Sequence, residues 1–125
     1  MDDSQRRRVH ATPGTHFRQG DVLLVALDEA SVPATLEPIA HAPGRIVLAE
    51  GEVTGHAHAV HAPGAQLLHP RGNEDERLLR LPDPADLVHE EHATIPLPAG
   101  TYRIVIQREY VPADIVTQGW RRVVD

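Results

Sequence analysis

Apolar positions along the chain fall into short runs cut by proline or glycine. DVLLVAL (21–27), RIVLAE (45–50), VTGHAHAV (53–60), AQLLH (65–69), RLLRL (77–81), LVHEEHATI (87–95) and TYRIVIQREYV (101–111) are each of strand length. They predict about seven strands. TYRIVIQREY shows its faces best, with Tyr102, Ile104 and Ile106 on one side and Arg103, Val105, Gln107 and Glu109 on the other. Pro13-Gly14, Pro43-Gly44 and Pro63-Gly64 supply the fixed φ and the positive φ that a type II turn uses. Segment 28–44, with three prolines and little periodicity, predicts an excursion loop, and Asn73 to Glu76 an exposed hairpin tip. Only PADIVTQGWRRVVD at the end has room for an amphipathic helix. The expected fold is all-β, either a small barrel or a two-sheet, jelly-roll-like sandwich.

Composition narrows this further. With 125 residues, one domain with one modest core is expected: a polar, flexible tail over 1–16, a β domain over 17–111 and a C-terminal segment over 112–125. Aromatics make up only 3%, so the core must be built from Val, Ile, Leu and Ala. Trp120, the single tryptophan, is expected to anchor the C-terminal segment to the core or to another subunit. A net charge of −6 disfavours nucleic acid or an anionic membrane as a main partner. No run reaches the roughly 20 apolar residues of a membrane span and the N-terminus lacks a secretion pattern, which predicts a cytoplasmic protein.

The nine histidines are the chemical feature of the chain, and the absence of cysteine leaves imidazole and carboxylate as its metal-binding groups. His56 and His58 are two apart in VTGHAHAV, so on a strand their rings share a face. Gly55 before them allows a bulge or close approach that aims the pair. The second cluster is His89-Glu90-Glu91-His92. Its histidines are three apart, so the His-Glu-x-x-His helix of zincins does not apply. On a regular strand His89 and Glu91 would share one face and Glu90 and His92 the other. Two arrangements follow: His56 and His58 join His89 and Glu91, or a bulge lets His92 join as well. Both require 53–60 to lie beside 87–95. The ion would be a divalent transition metal, Zn, Fe, Mn, Ni or Cu, and Glu90 or Glu91 would serve as ligand or as general acid/base. The alternative use of these histidines is structural, as solvated or His–Glu paired side chains. No nucleophile triad is evident, because Ser4 and Ser31 are the only serines. No glycine-rich phosphate loop is present either.

GEVTGHAH, LVHEEH and LPAGTYRIVIQREY together resemble a small bacterial and phage protein family without assigned activity, over about residues 17–111. GEVTGHAH and IPLPAGTYRI also resemble the two motifs of cupins, a likeness that implies a metal-holding β-barrel. The cupin pattern places a Glu a few residues after His-x-His, and 59–66 has none. FRQGDVLLVAL and GRIVLAEGEVTG are fainter in their similarity to the co-chaperonin barrel, which implies a ring-forming module. The sequence therefore predicts a homo-oligomeric metal-binding β protein, with metal-dependent hydrolysis or oxygen chemistry as its reaction. The competing expectation is a non-catalytic assembly or adaptor module with a protein partner and structural histidines.

Overall fold

The computed structural model describes residues 10–51 and 55–107. Ten strands run through them: β1 (His16–Gln19), β2 (Val22–Ala26), β3 (Leu36–Pro38), β4 (Ile46–Glu50), β5 (Ala57–Val60), β6 (Gln66–Pro70), β7 (Arg77–Leu81), β8 (Ala85–Val88), β9 (Ile95–Leu97) and β10 (Gly100–Ile106). One sheet has the order β1-β2-β10-β7-β6-β3 and the other β4-β5-β8-β9, and all strand pairings in both are antiparallel. The fold is thus all-β, as expected, and of the two architectures predicted it is the two-sheet sandwich and not the closed barrel.

The strand count rises from seven to ten for identifiable reasons. Segment 87–95 is two strands, β8 and β9, joined by a turn that carries the His-Glu-Glu-His cluster. The supposed excursion loop of 28–44 contains a single 3₁₀ turn over Glu29–Ser31, capped by the Asp28 side chain, and then β3. Three residues of β3 pair with β6 at the sheet edge, where Pro38 is tolerated because an edge strand has a free side. HFRQ (16–19), too short to register as an apolar run, pairs with β2 through the two-residue Gly20-Asp21 hairpin. Gly20 has φ +58° and holds the first central position, as a type II′ hairpin turn requires. Residues 10–15 also have defined places: His10 bridges to Ala99, and the Ala11 N–H donates to Ala99 O at 2.9 Å.

Of the three Pro-Gly turns, those at Gly14 and Gly44 have positive φ, +87° and +70°. All three close the same hydrogen bond, from Thr15 to Thr12, Arg45 to Ala42 and Ala65 to Ala62. Gly64 has no positive φ, so the second copy of HAPG is not a type II turn. Asn73 to Asp75 lie exposed between β6 and β7, as expected for a hairpin tip.

The core between the sheets is mainly aliphatic: Val22, Leu24, Ile46, Leu48, Val60, Leu79, Leu81, Leu87 and Leu97 are buried. Tyr102 sits at its centre with none of its surface exposed. Its hydroxyl donates to Pro98 O at 2.6 Å and its ring meets Phe17 edge-on at 5.8 Å. That one bond answers the cost of burying a hydroxyl, while burial pushes the Tyr102 pKa up to about 12. Along β10, Tyr102 and Ile104 are buried and Arg103 is exposed, which is the alternation read from the sequence. The candidate C-terminal helix and Trp120 lie outside the described residues.

Candidate metal centre

Three places in the chain meet at one end of the sandwich: Gly20-Asp21 between β1 and β2, Gly51 and His56 flanking β4 and β5, and residues 89–94 between β8 and β9. The antiparallel pairing of β5 with β8, Ala59 opposite Val88 and Val60 opposite Leu87, carries His58 and His89 toward each other at that end. The two histidine-bearing segments therefore lie side by side.

His58, on β5, is buried and only 3% exposed. Its ring centroid lies 4.3 Å from that of His89 and 5.6 Å from that of His92, and the His89 and His92 rings are 4.6 Å apart. His56, just before β5, meets the His89 ring edge-on at 5.8 Å. Ligand atoms of His58, His89 and His92 all fall within 4.8 Å of one another, as do those of His56, His89 and Glu90. The backbone turns after Val88 instead of continuing as strand. That turn answers the alternation problem and lets both His89 and His92 face the cluster.

The tautomer of His58 is fixed by a residue the sequence reading did not single out. Gln19 holds the last inward position of β1, two residues after Phe17, and is 2% exposed. Its side-chain nitrogen donates to Leu87 O at 3.0 Å and Ala93 O at 2.9 Å. Both amide hydrogens are thereby used, so Oε1 must be the atom facing His58 Nδ1 at 2.8 Å, and as a pure acceptor it requires a proton there. The neutral ring then keeps its lone pair on Nε2. This is the outer-shell arrangement that orients imidazoles in metal sites. The His58 pKa is lowered, first by burial and next by His89, against an opposing pull from Asp21. A neutral imidazole with a fixed free nitrogen is the form a metal binds.

The remaining groups divide by geometry. Glu90 Oε1 accepts from the Ala57 N–H at 2.8 Å, a bond that holds the β8–β9 turn to the start of β5 and depresses the Glu90 pKa. Glu91 is exposed, with Oε2 at 3.7 Å from His56 Nδ1. His89 Nδ1 accepts from the Glu91 N–H at 3.0 Å. Asp21, also not anticipated, brings Oδ1 to 3.6 Å from His58 Nε2. Beside it, a Cβ added at Gly20 would stand 2.8 Å from His92 Nε2 and 3.1 Å from His58 Cε1, so only glycine lets this hairpin approach the rings. His61 stands apart at its turn, lining a shallow groove with Ala85, Asp86 and Leu97.

Fold and site together define a two-sheet β protein with a histidine cluster built from hairpin loops. The chain belongs to the family described as Domain of unknown function (DUF8820), matched over residues 18–107. None of the curated proteins and none of the solved structures compared with the chain matches it. Among the described residues no helix is long and apolar enough to cross a membrane.

Proposed function

We propose that this protein binds a divalent transition metal through His58, His89 and His92, with His56 and Glu90 at the margin of the site. The observation that carries the reading is the Gln19–His58 pair. A buried amide with both hydrogens committed to backbone carbonyls leaves His58 with an unprotonated nitrogen in a cluster where ligand atoms of His58, His89 and His92 lie within 4.8 Å of one another. A histidine serving only to fill the core does not need a fixed tautomer within a cluster of other imidazoles. Three imidazoles suit Zn, Fe, Mn, Ni or Cu. With His92 exposed, an ion held here keeps a side open to solvent, and such an ion supplies Lewis-acid activation of a bound water or small molecule. Glu90, tied to Ala57 N–H, acts as a positioning residue for the turn. Glu91 is the exposed carboxylate next to the cluster, suited to exchanging protons at the open side.

Metal content of untagged protein, measured by inductively coupled plasma mass spectrometry beside an equilibrium titration of metal-stripped protein with Zn²⁺ and Co²⁺, tests the reading. One equivalent is expected in the parent, with loss in His58→Ala and His92→Ala. A parent that retains no ion and takes up none at micromolar concentration ends the proposal and returns the histidines to a structural role. Solution mass, taken on the same samples, tests the self-assembling alternative separately.

A further inference from the structure

We infer that His56, His89 and Glu90 form a second cation position, an alternative to the three-histidine one, that takes harder divalent ions such as Mn²⁺ and Fe²⁺. The inference rests on the metal-binding reading and adds a choice of ion to it. Ligand atoms of His56, His89 and Glu90 lie within 4.8 Å of one another, and so do those of His58, His89 and His92. His89 belongs to both groups. Its ring is in contact with all three other rings, at centroid distances of 4.3 Å to His58, 4.6 Å to His92 and 5.8 Å to His56. A neutral imidazole has one unprotonated nitrogen, so one ion at a time claims His89, and the two positions are filled in turn and not together.

The donor sets differ in kind. Three imidazoles suit Zn, Cu and Ni, whereas a carboxylate oxygen is the harder donor that suits Mn, and two histidines with one carboxylate are the set that holds Fe²⁺ with positions left open. Local structure fixes the second set. The Gly51 N–H donates to His56 O at 2.9 Å, which holds His56 at the end of β4. Glu90 Oε1 accepts from the Ala57 N–H at 2.8 Å, so the carboxylate is tied to the residue that follows His56. One such bond still leaves an ionised carboxylate with lone pairs for an ion. Glu90 is exposed and His56 and His89 are half-buried, so an ion here keeps contact with water, itself a ligand suited to harder ions. Glu91 Oε2, 3.7 Å from His56 Nδ1, adds negative charge beside the set and attracts a cation to it.

Titration of metal-stripped full-length protein with Mn²⁺, followed by the electron paramagnetic resonance signal of the free ion, and with Zn²⁺, followed by competition with a chromophoric chelator, tests this. The parent should bind one Mn²⁺, and Zn²⁺ should displace it one for one. Glu90→Gln keeps an oxygen for the Ala57 N–H but loses the charge. It should lower Mn²⁺ affinity about 100-fold or more, above the range for outer-shell residues, and Zn²⁺ affinity about 10-fold at most. His92→Ala should show the reverse pattern. His56→Ala, which leaves the Glu90 bond to Ala57 in place, should repeat the pattern of Glu90→Gln, and melting curves of the metal-free variants check that each remains folded. Equal losses for the two ions in both Glu90→Gln and His56→Ala overturn the second position, as does a parent that binds Zn²⁺ but no Mn²⁺; the three-histidine reading then stands alone. Mn²⁺ and Zn²⁺ bound together overturn the sharing of His89. If the parent binds neither ion, both proposals fall.

Discussion

Replacing Gln19 with leucine changes side-chain volume little but removes three hydrogen bonds, to Leu87 O, Ala93 O and His58 Nδ1. Ala93 is exposed, so water replaces the bond to its carbonyl. Leu87 and His58 are buried, and each group left unsatisfied costs about 1–3 kcal/mol. The apolar surface that leucine buries returns roughly 1–2 kcal/mol. A net loss of about 2–3 kcal/mol follows, which for a domain of this size lowers the melting temperature by roughly 6–12 °C. Urea and thermal unfolding of the metal-free protein measure that loss. Without the acceptor at Nδ1 the imidazole is free to change tautomer and orientation, so Zn²⁺ affinity should fall about 10- to 100-fold. Gln19→Glu separates the two effects, because a carboxylate still accepts from His58 but cannot donate to the carbonyls: stability drops while metal affinity is largely kept. A leucine variant with parental stability and parental Zn²⁺ affinity would refute the claim that this amide organises the site.

Further expectations follow from neighbouring features. Gly20→Ala combines a strained positive φ, costing about 1 kcal/mol, with a Cβ set 2.8 Å from His92 Nε2. Calorimetric titration should therefore show a larger loss of metal binding than of stability. Metal binding to His89 must break the Glu91 N–H to Nδ1 bond: an ion at Nδ1 takes the lone pair, and an ion at Nε2 moves the ring proton onto Nδ1. The Glu91 amide should thus be among the most displaced ¹H–¹⁵N resonances on Zn²⁺ addition; an unmoved Glu91 with bound Zn²⁺ excludes His89. The metal-free protein should be pH-sensitive at both ends. The folded-state pKa of His58 is lowered, so its contribution is present above the unfolded value near 6.5 and is lost as pH falls through the folded one. The folded-state pKa of Tyr102 is raised to about 12, so its contribution is intact below about 10 and is lost as pH rises toward 12. Tyr102→Phe should flatten that alkaline limb in pH-dependent urea titrations and cost about 1 kcal/mol at neutral pH for the bond to Pro98.

The sequence exposed the parts of this protein in which alternation and chemistry coincide. TYRIVIQREY showed its buried face because Tyr102 and Ile104 alternate with charged residues, and two dense histidine clusters stood out on composition alone. The turn within 87–95 was not legible, because Leu87, Val88 and Ile95 bracket it with strand-like residues and no Gly or Pro marks the break. β1 and β3 were missed for the opposite reason: HFRQ and LEP offer too few apolar residues, and pairing with β2 and β6 supplies what propensity lacks. Gln19 and Asp21 escaped notice because a single polar residue at a strand end usually faces water. One signal was available. Phe17 fixes the inward face of β1, which places Gln19 inward as well, and Gly20-Asp21 is a two-residue hairpin signature.

Gln19 and the histidine it holds are 39 positions apart in the chain and belong to opposite sheets. That placement would tie occupancy of the proposed centre to the docking of the two sheets. The acceptor that orients His58 comes from the other layer, so high-affinity uptake of an ion would wait until the two layers have docked. A bound ion would then favour the docked native state over any opened form, by an amount that grows with the logarithm of its concentration relative to its dissociation constant. Chelation should accordingly loosen this end of the molecule first and leave the Tyr102–Pro98 bond in the core comparatively undisturbed.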